Sequence, residues 1–101
     1  MSTVPADLDA YLTTHDDRIQ RELFEFLRIP SVSARSEHDA DTARAAEWFA
    51  RSLREAGLEA SVHPTAGHPV VIGEWRGAGT TAPTVLVYGH YDVQPAEPLE
   101  L

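Results

Sequence analysis

The hydrophobic pattern of this 101-residue chain changes its period at Gly57, and this change limits the possible folds more than any other feature. Before Gly57, apolar residues recur three, four or seven positions apart, which predicts amphipathic helices. After Gly57, apolar and polar residues begin to alternate, which predicts strands. Helices that face a sheet indicate an α/β layer architecture.

Two helices are predicted before Gly57. The first covers residues 6–28 and ends before Pro30, because a residue that precedes proline avoids helical geometry. The second begins near Ser36 or Asp39, where acidic residues suit a helix N-terminus, and ends at Gly57. Their expected buried stripes are Leu8, Leu12, Ile19, Leu23, Phe26 and Leu27 in the first helix, and Ala46, Phe49, Ala50 and Leu53 in the second.

Three strands are predicted after Gly57, at residues 58–62, 70–75 and 84–88. The third, Thr84–Tyr88, is apolar and β-branched, as expected of a strand that is covered on both faces. A central strand needs neighbours on both sides, and the sequence supplies few. We therefore expect one small α/β domain with an incomplete sheet.

The composition excludes several classes of protein. The formal net charge is -8, which disfavours binding to nucleic acids or anionic membranes because both require clustered positive charge. Cysteine is absent, so disulfides and thiolate metal sites are excluded. The sequence has neither a secretory signal nor an apolar run of about 20 residues, so we expect a soluble cytoplasmic protein.

A histidine and an aspartate lie two residues apart directly after the third predicted strand, within VLVYGHYDVQP (Val85–Pro95). Sites in open α/β sheets form beyond the carboxyl ends of strands. In extended backbone, His90 and Asp92 point to the same side and Tyr91 points away. Such a histidine can bind a metal while the carboxylate orients its ring. Taken alone, the spacing favours a hydrogen-bonded turn that ends the strand over a metal site.

Other polar residues are assigned to surface or loop roles. The segment Ile29–Ser33 (IPSVS) contains serines without an identifiable base, which disfavours a serine hydrolase. His63 and His68 flank a turn, and a metal bound by both would lack a third ligand of matching spacing. The remaining residues in this group are His15 on a helix surface, His38 at a helix start, and Glu97 and Glu100 in a solvated loop.

The longer string VLVYGHYDVQPAEPLEL closely resembles the first metal-binding motif of the M20 metallopeptidase family, in which an apolar strand ends in a small residue, His, any residue, Asp and Val. The form HYDVQPAEPLE is similar to the dipeptidase branch, which includes the carnosinase-like enzymes. FLRIPSVS (Phe26–Ser33) and LREAGLEA (Leu53–Ala60) also resemble this family. The resemblance runs from about Ala6 to Leu101.

This resemblance implies that residues 1–101 are the N-terminal portion of a zinc-peptidase-like catalytic domain. His90 would be a ligand of one metal in a two-zinc centre, and Asp92 would be the catalytic-site aspartate that orients it. The implied reaction is hydrolysis of a peptide bond in a small peptide substrate by a metal-bound hydroxide. The resemblance also permits a homodimer of the full-length protein through a lid domain.

In that family the other metal ligands, the general base and the lid follow this region. We therefore expect the chain to be a fragment that is inactive by itself. Two alternatives remain open from the sequence. One is a related M20 deacylase or carboxypeptidase that acts on N-acyl amino acids, and the other is a non-catalytic α/β module.

Overall fold

The computed structural model describes residues 4–97 and 99. In these residues, three α-helices precede a two-stranded antiparallel sheet, which confirms the predicted fold class of an incomplete α/β domain. The elements are α1 (Ala6–Thr14), α2 (Asp16–Leu27), a short 3-10 helix (Ser36–His38), α3 (Asp39–Glu55), β1 (Glu59–His63) and β2 (Val70–Glu74). Within this part of the chain, no helix is both long enough and apolar enough to cross a membrane.

The first predicted helix is interrupted at His15, so the prediction of one continuous helix over residues 6–28 is wrong. His15 has φ -105° and ψ 12°, outside the helical region. It follows Thr13 and Thr14, whose β-branched side chains lose rotamer freedom in a helix. The His15 amide still donates to the Tyr11 carbonyl at 3.0 Å, so α2 follows α1 with little separation.

The apolar stripe of α1 and α2 is largely exposed, and the prediction that it is buried is wrong for most of its members. Leu8, Leu12 and Leu23 are 48%, 45% and 50% exposed. Phe26 is half-buried and stacks on Trp48 of α3 with ring centroids 5.0 Å apart. The described residues place no second layer against the rest of this stripe.

The core lies along α3, where Ala46 and Ala50 are buried as predicted; Phe49 is 37% exposed, so its predicted burial is wrong, because no described element covers that side chain fully. Gly57 follows this helix with φ +99°, the left-handed conformation that glycine adopts without strain at a helix end. α3 packs on both strands of the sheet, and Gly73 lets Leu53 approach. A Cβ at Gly73 would lie 3.0 Å from Leu53 Cδ1. The buried residues of α3 are Thr42, Ala45, Ala46 and Ala50.

β1 and β2 form the first two predicted strands, paired in register from Glu59 opposite Glu74 to His63 opposite Val70. The third predicted strand is absent. Residues 85–88 are 84% to 92% exposed, so the prediction of a strand covered on both faces is wrong here. Backbone N–H and C=O groups need a neighbouring strand to form a ladder, and the described part of the chain supplies none.

Candidate metal-ligand site

The segment after α2 pairs with the segment that carries the predicted site residues. The Val93 amide donates to the Ser31 carbonyl at 3.0 Å, and Val32 and Val93 form an isolated parallel bridge. The Ser31 hydroxyl donates to the Tyr91 carbonyl at 3.0 Å. Ser31 and Val32 are 1% and 7% exposed, so this contact belongs to the buried part of the molecule.

His90 and Asp92 contact each other directly, as their spacing predicted. His90 Nδ1 lies 2.8 Å from Asp92 Oδ1 and 3.2 Å from the Asp92 carbonyl oxygen. A carboxylate at this distance favours the tautomer with the proton on Nδ1, which leaves a lone pair on Nε2. The His90 side chain is 74% exposed, and no described residue hydrogen-bonds to its Nε2.

Ser33 holds the other side of the Asp92 carboxylate. Its hydroxyl donates to Asp92 Oδ2 at 2.5 Å. This hydrogen bond, and next the contact with His90, lower the pKa of Asp92, while partial burial opposes them. Asp92 is therefore held ionised, with one hydrogen-bond partner on each carboxylate oxygen.

This role of the Ile29–Ser33 segment was not predicted from the sequence, where its serines were assessed as nucleophiles and not as hydrogen-bond donors. One signal was available, because Ser31 and Ser33 alternate and so fall on the same side of extended backbone. Their partner segment is about 60 positions further along the chain, and local spacing does not identify it.

The turn between β1 and β2 contacts both segments of the site. His68 Nε2 lies 2.8 Å from the Ser33 carbonyl oxygen, and the Tyr91 hydroxyl donates to the Pro69 carbonyl at 2.6 Å. Burial, and secondarily the charge of Asp92, raise the pKa of Tyr91. His68 therefore contacts backbone at the site, a loop role of the kind that the sequence suggested.

A second histidine–aspartate pair lies at the start of α3. His38 Nδ1 is 2.8 Å from Asp41 Oδ2, and Arg44 Nη2 is 3.1 Å from Asp41 Oδ1. The His38 carbonyl also accepts a hydrogen bond from the Thr42 hydroxyl at 3.0 Å. This pair belongs to a helix start, and it provides a natural comparison for His90 and Asp92.

The donors present fit one position of a metal centre. Among residues 4–97 and 99, no three His, Cys, Asp or Glu side chains lie close enough together to hold a metal ion. His90 offers a free Nε2, whereas both carboxylate oxygens of Asp92 are already in hydrogen bonds. Glu97 pairs with Arg35 at 2.9 Å, and Glu100 lies outside the described residues.

Comparison with known proteins gives one informative similarity. The chain is 39% identical over 87 residues to the cysteinylglycine-S-conjugate dipeptidase of Corynebacterium striatum. The match covers 85% of this chain and 19% of that protein, so the chain spans about a fifth of the length of its relative. No protein-family model and no solved structure matches the chain. The similarity is consistent with a dipeptidase family.

Proposed function

We propose that this chain is the ligand-bearing first portion of a metal-dependent dipeptidase of the M20 family, in which His90 binds one of two zinc ions. The observation that carries the proposal is the His90–Asp92 pair, whose geometry leaves the exposed Nε2 of His90 available. The similarity to a dipeptidase over 85% of the chain supports the same assignment.

The residues of the site have separate tasks in this proposal. His90 donates its Nε2 lone pair, while Asp92 accepts a hydrogen bond from Nδ1–H and makes the ring a stronger donor. The Ser33 hydroxyl holds Asp92, and the hydroxyl and carbonyl of Ser31 hold the segment that carries it. A bound zinc ion would lower the pKa of a water molecule and polarise the peptide carbonyl.

The proposed substrate class is a small peptide with a single scissile bond. The relative is named for cleavage of a cysteinylglycine S-conjugate, and this favours a dipeptidase over a deacylase of N-acyl amino acids. A catalytic zinc ion takes three protein ligands, and His90 supplies one. We therefore expect the 101-residue chain by itself to hydrolyse no dipeptide.

A chimera tests this function directly. Residues of this chain replace the matching stretch of the Corynebacterium striatum dipeptidase, and hydrolysis of a cysteinylglycine S-conjugate is measured. We expect activity that a chelator removes and zinc restores. His90→Ala should lower kcat/KM by about a hundredfold or more. Mutation of a residue that only hydrogen-bonds to a metal ligand already costs about 10- to 100-fold in activity, and loss of the ligand itself should cost more.

His38→Ala is the matched control for this chimera, because His38 also pairs with an aspartate at 2.8 Å but at a helix start. We expect the His38 variant to keep the activity of the parent chimera within about twofold. An active chimera in which His90→Ala has no larger effect than His38→Ala would contradict the proposed ligand role.

A further inference from the structure

The orientation of His90 depends on very few contacts. Its side chain is 74% exposed, and its ring nitrogen Nδ1 contacts Asp92 alone among the described residues. Asp92 is itself 40% exposed, so packing restrains its carboxylate only in part. The position of the metal-ligand ring is therefore set by whatever fixes the carboxylate of Asp92.

Ser33 is placed to fix that carboxylate. Its hydroxyl binds Asp92 Oδ2 while His90 binds Oδ1, so the two contacts together define both the position and the plane of the group. The shortness of the Ser33 contact, 2.5 Å, is typical of a hydroxyl that donates to an ionised carboxylate.

The backbone of Ser33 is held independently of its side chain. Its carbonyl oxygen lies 2.8 Å from His68 Nε2. The turn that contains it is closed by a hydrogen bond from the Arg35 amide to the Val32 carbonyl at 3.2 Å. Removal of the Ser33 hydroxyl therefore leaves the path of the chain intact and releases one oxygen of Asp92.

We propose that Ser33 is a positioning residue for the metal ligand: its hydroxyl holds Asp92 in the orientation that keeps the proton of His90 on Nδ1 and presents Nε2 to the metal. This inference rests on the proposed function, in which His90 binds zinc. Ser33 itself contacts neither metal nor substrate in this arrangement. Its effect is transmitted through Asp92 to the ring of His90.

The tautomer of His90 tests this role in the 101-residue chain without metal or activity. Nitrogen-15 shifts of the two ring nitrogens are measured in the chain labelled at histidine, at about pH 9, well above the pKa of a free histidine side chain. The His90 signals are assigned by their loss in His90→Gln. We expect the Nδ1–H form to predominate, and Ser33→Ala to lower its ratio to the Nε2–H form by about fivefold.

Two further variants separate orientation from general loosening. Ser33→Thr keeps the hydroxyl and should restore the ratio of the unmodified chain. Ser31→Ala removes the neighbouring hydrogen bond, which ends on a backbone carbonyl and not on the carboxylate, so it should change the ratio by less than about twofold. Amide protection of Val93 is recorded in every sample to report whether the two segments remain paired.

An unchanged tautomer ratio in Ser33→Ala would overturn the inference. So would an equal change in Ser31→Ala, or a fall in Val93 protection in Ser33→Ala as large as that in Ser31→Ala, because Ser33 would then act by holding the segment. Failure of this test leaves the chimera result unaffected, so the ligand role of His90 would stand without Ser33. If His90→Ala left the activity of the chimera unchanged, the proposed function would be wrong, whereas the tautomer result would remain valid.

Discussion

Replacement of Ser31 by alanine should make the segment that carries His90 and Asp92 open more often, while the paired state stays predominant and α3 and the sheet stay folded. Ser31 is 1% exposed, and its hydroxyl donates to the Tyr91 carbonyl at 3.0 Å. The backbone bond from Val93 to the Ser31 carbonyl remains in the variant. The substitution therefore removes one of the two hydrogen bonds that Ser31 makes to this segment.

The magnitude follows from the burial of the two partners. A hydrogen bond between neutral groups contributes about 1 kcal/mol net, and a carbonyl left without its donor costs about 1 kcal/mol more when water reaches it in part. Tyr91 is half-buried, so water reaches its carbonyl in part and the lower cost of about 1 kcal/mol applies. The sum of about 1–2 kcal/mol raises the local opening constant about 5- to 30-fold.

Amide hydrogen exchange measures this opening directly, because the Val93 amide is bonded to the segment that contains Ser31. We expect the protection of Val93 to fall about tenfold in Ser31→Ala, while Ala50 in the buried face of α3 changes by less than about twofold. Unchanged protection at Val93 would refute the reasoning. An equal fall at Ala50 would also refute it, since the hydroxyl would then stabilise the whole fold.

Three further predictions follow from other contacts. A Cβ at Gly73 would lie 3.0 Å from Leu53 Cδ1, so the larger side chain of Gly73→Val should overpack this contact. We expect the variant to lose about 1–3 kcal/mol of stability in thermal unfolding. An unchanged melting temperature would exclude close packing at Gly73. The pKa of Asp92 is lowered in the folded state, so its contribution to stability is present above the unfolded pKa of about 4 and lost as pH falls through the folded pKa. The difference in melting temperature between the unmodified chain and Asp92→Asn should shrink across that range, and a constant difference would contradict the shift. Leu86 is 92% exposed, so Leu86→Glu should leave the melting temperature unchanged and reduce self-association in light scattering; a lower melting temperature would show that Leu86 is buried.

The parts of the fold that were predicted correctly depend on local sequence. α3 is marked at both ends, by acidic residues at Asp39 and Asp41 and by Gly57, and its buried alanines recur at helical spacing. β1 follows the alternation of Ala60 and Val62 with polar neighbours. In each case the residues that determine the element lie within it or at its ends.

Apart from the break at His15, the errors concern features that need distant partners. Residues 85–88 have the composition of a buried strand, yet a strand forms only where another strand supplies its hydrogen bonds. The stripe of α1 and α2 likewise has helical spacing, but burial requires an opposing layer. Composition and period predict what a segment can form, and do not show whether a partner is present.

In the candidate site, too, the local contact was predictable from the sequence and the distant one was not. The contact between His90 and Asp92 was predictable because the residues are two positions apart. The contact between Ser33 and Asp92 joins residues 59 positions apart and depends on how the segment after α2 returns to the end of the sheet. Fold-level information was needed to find it.

The number of bound metal ions with and without His90 tests the proposed ligand role most directly. The chimera with the Corynebacterium striatum dipeptidase is loaded with zinc, dialysed, and analysed by elemental mass spectrometry. We predict about two zinc ions per chain in the parent chimera and about one in His90→Ala. Equal zinc content in the two proteins would contradict the assignment of His90 as a metal ligand.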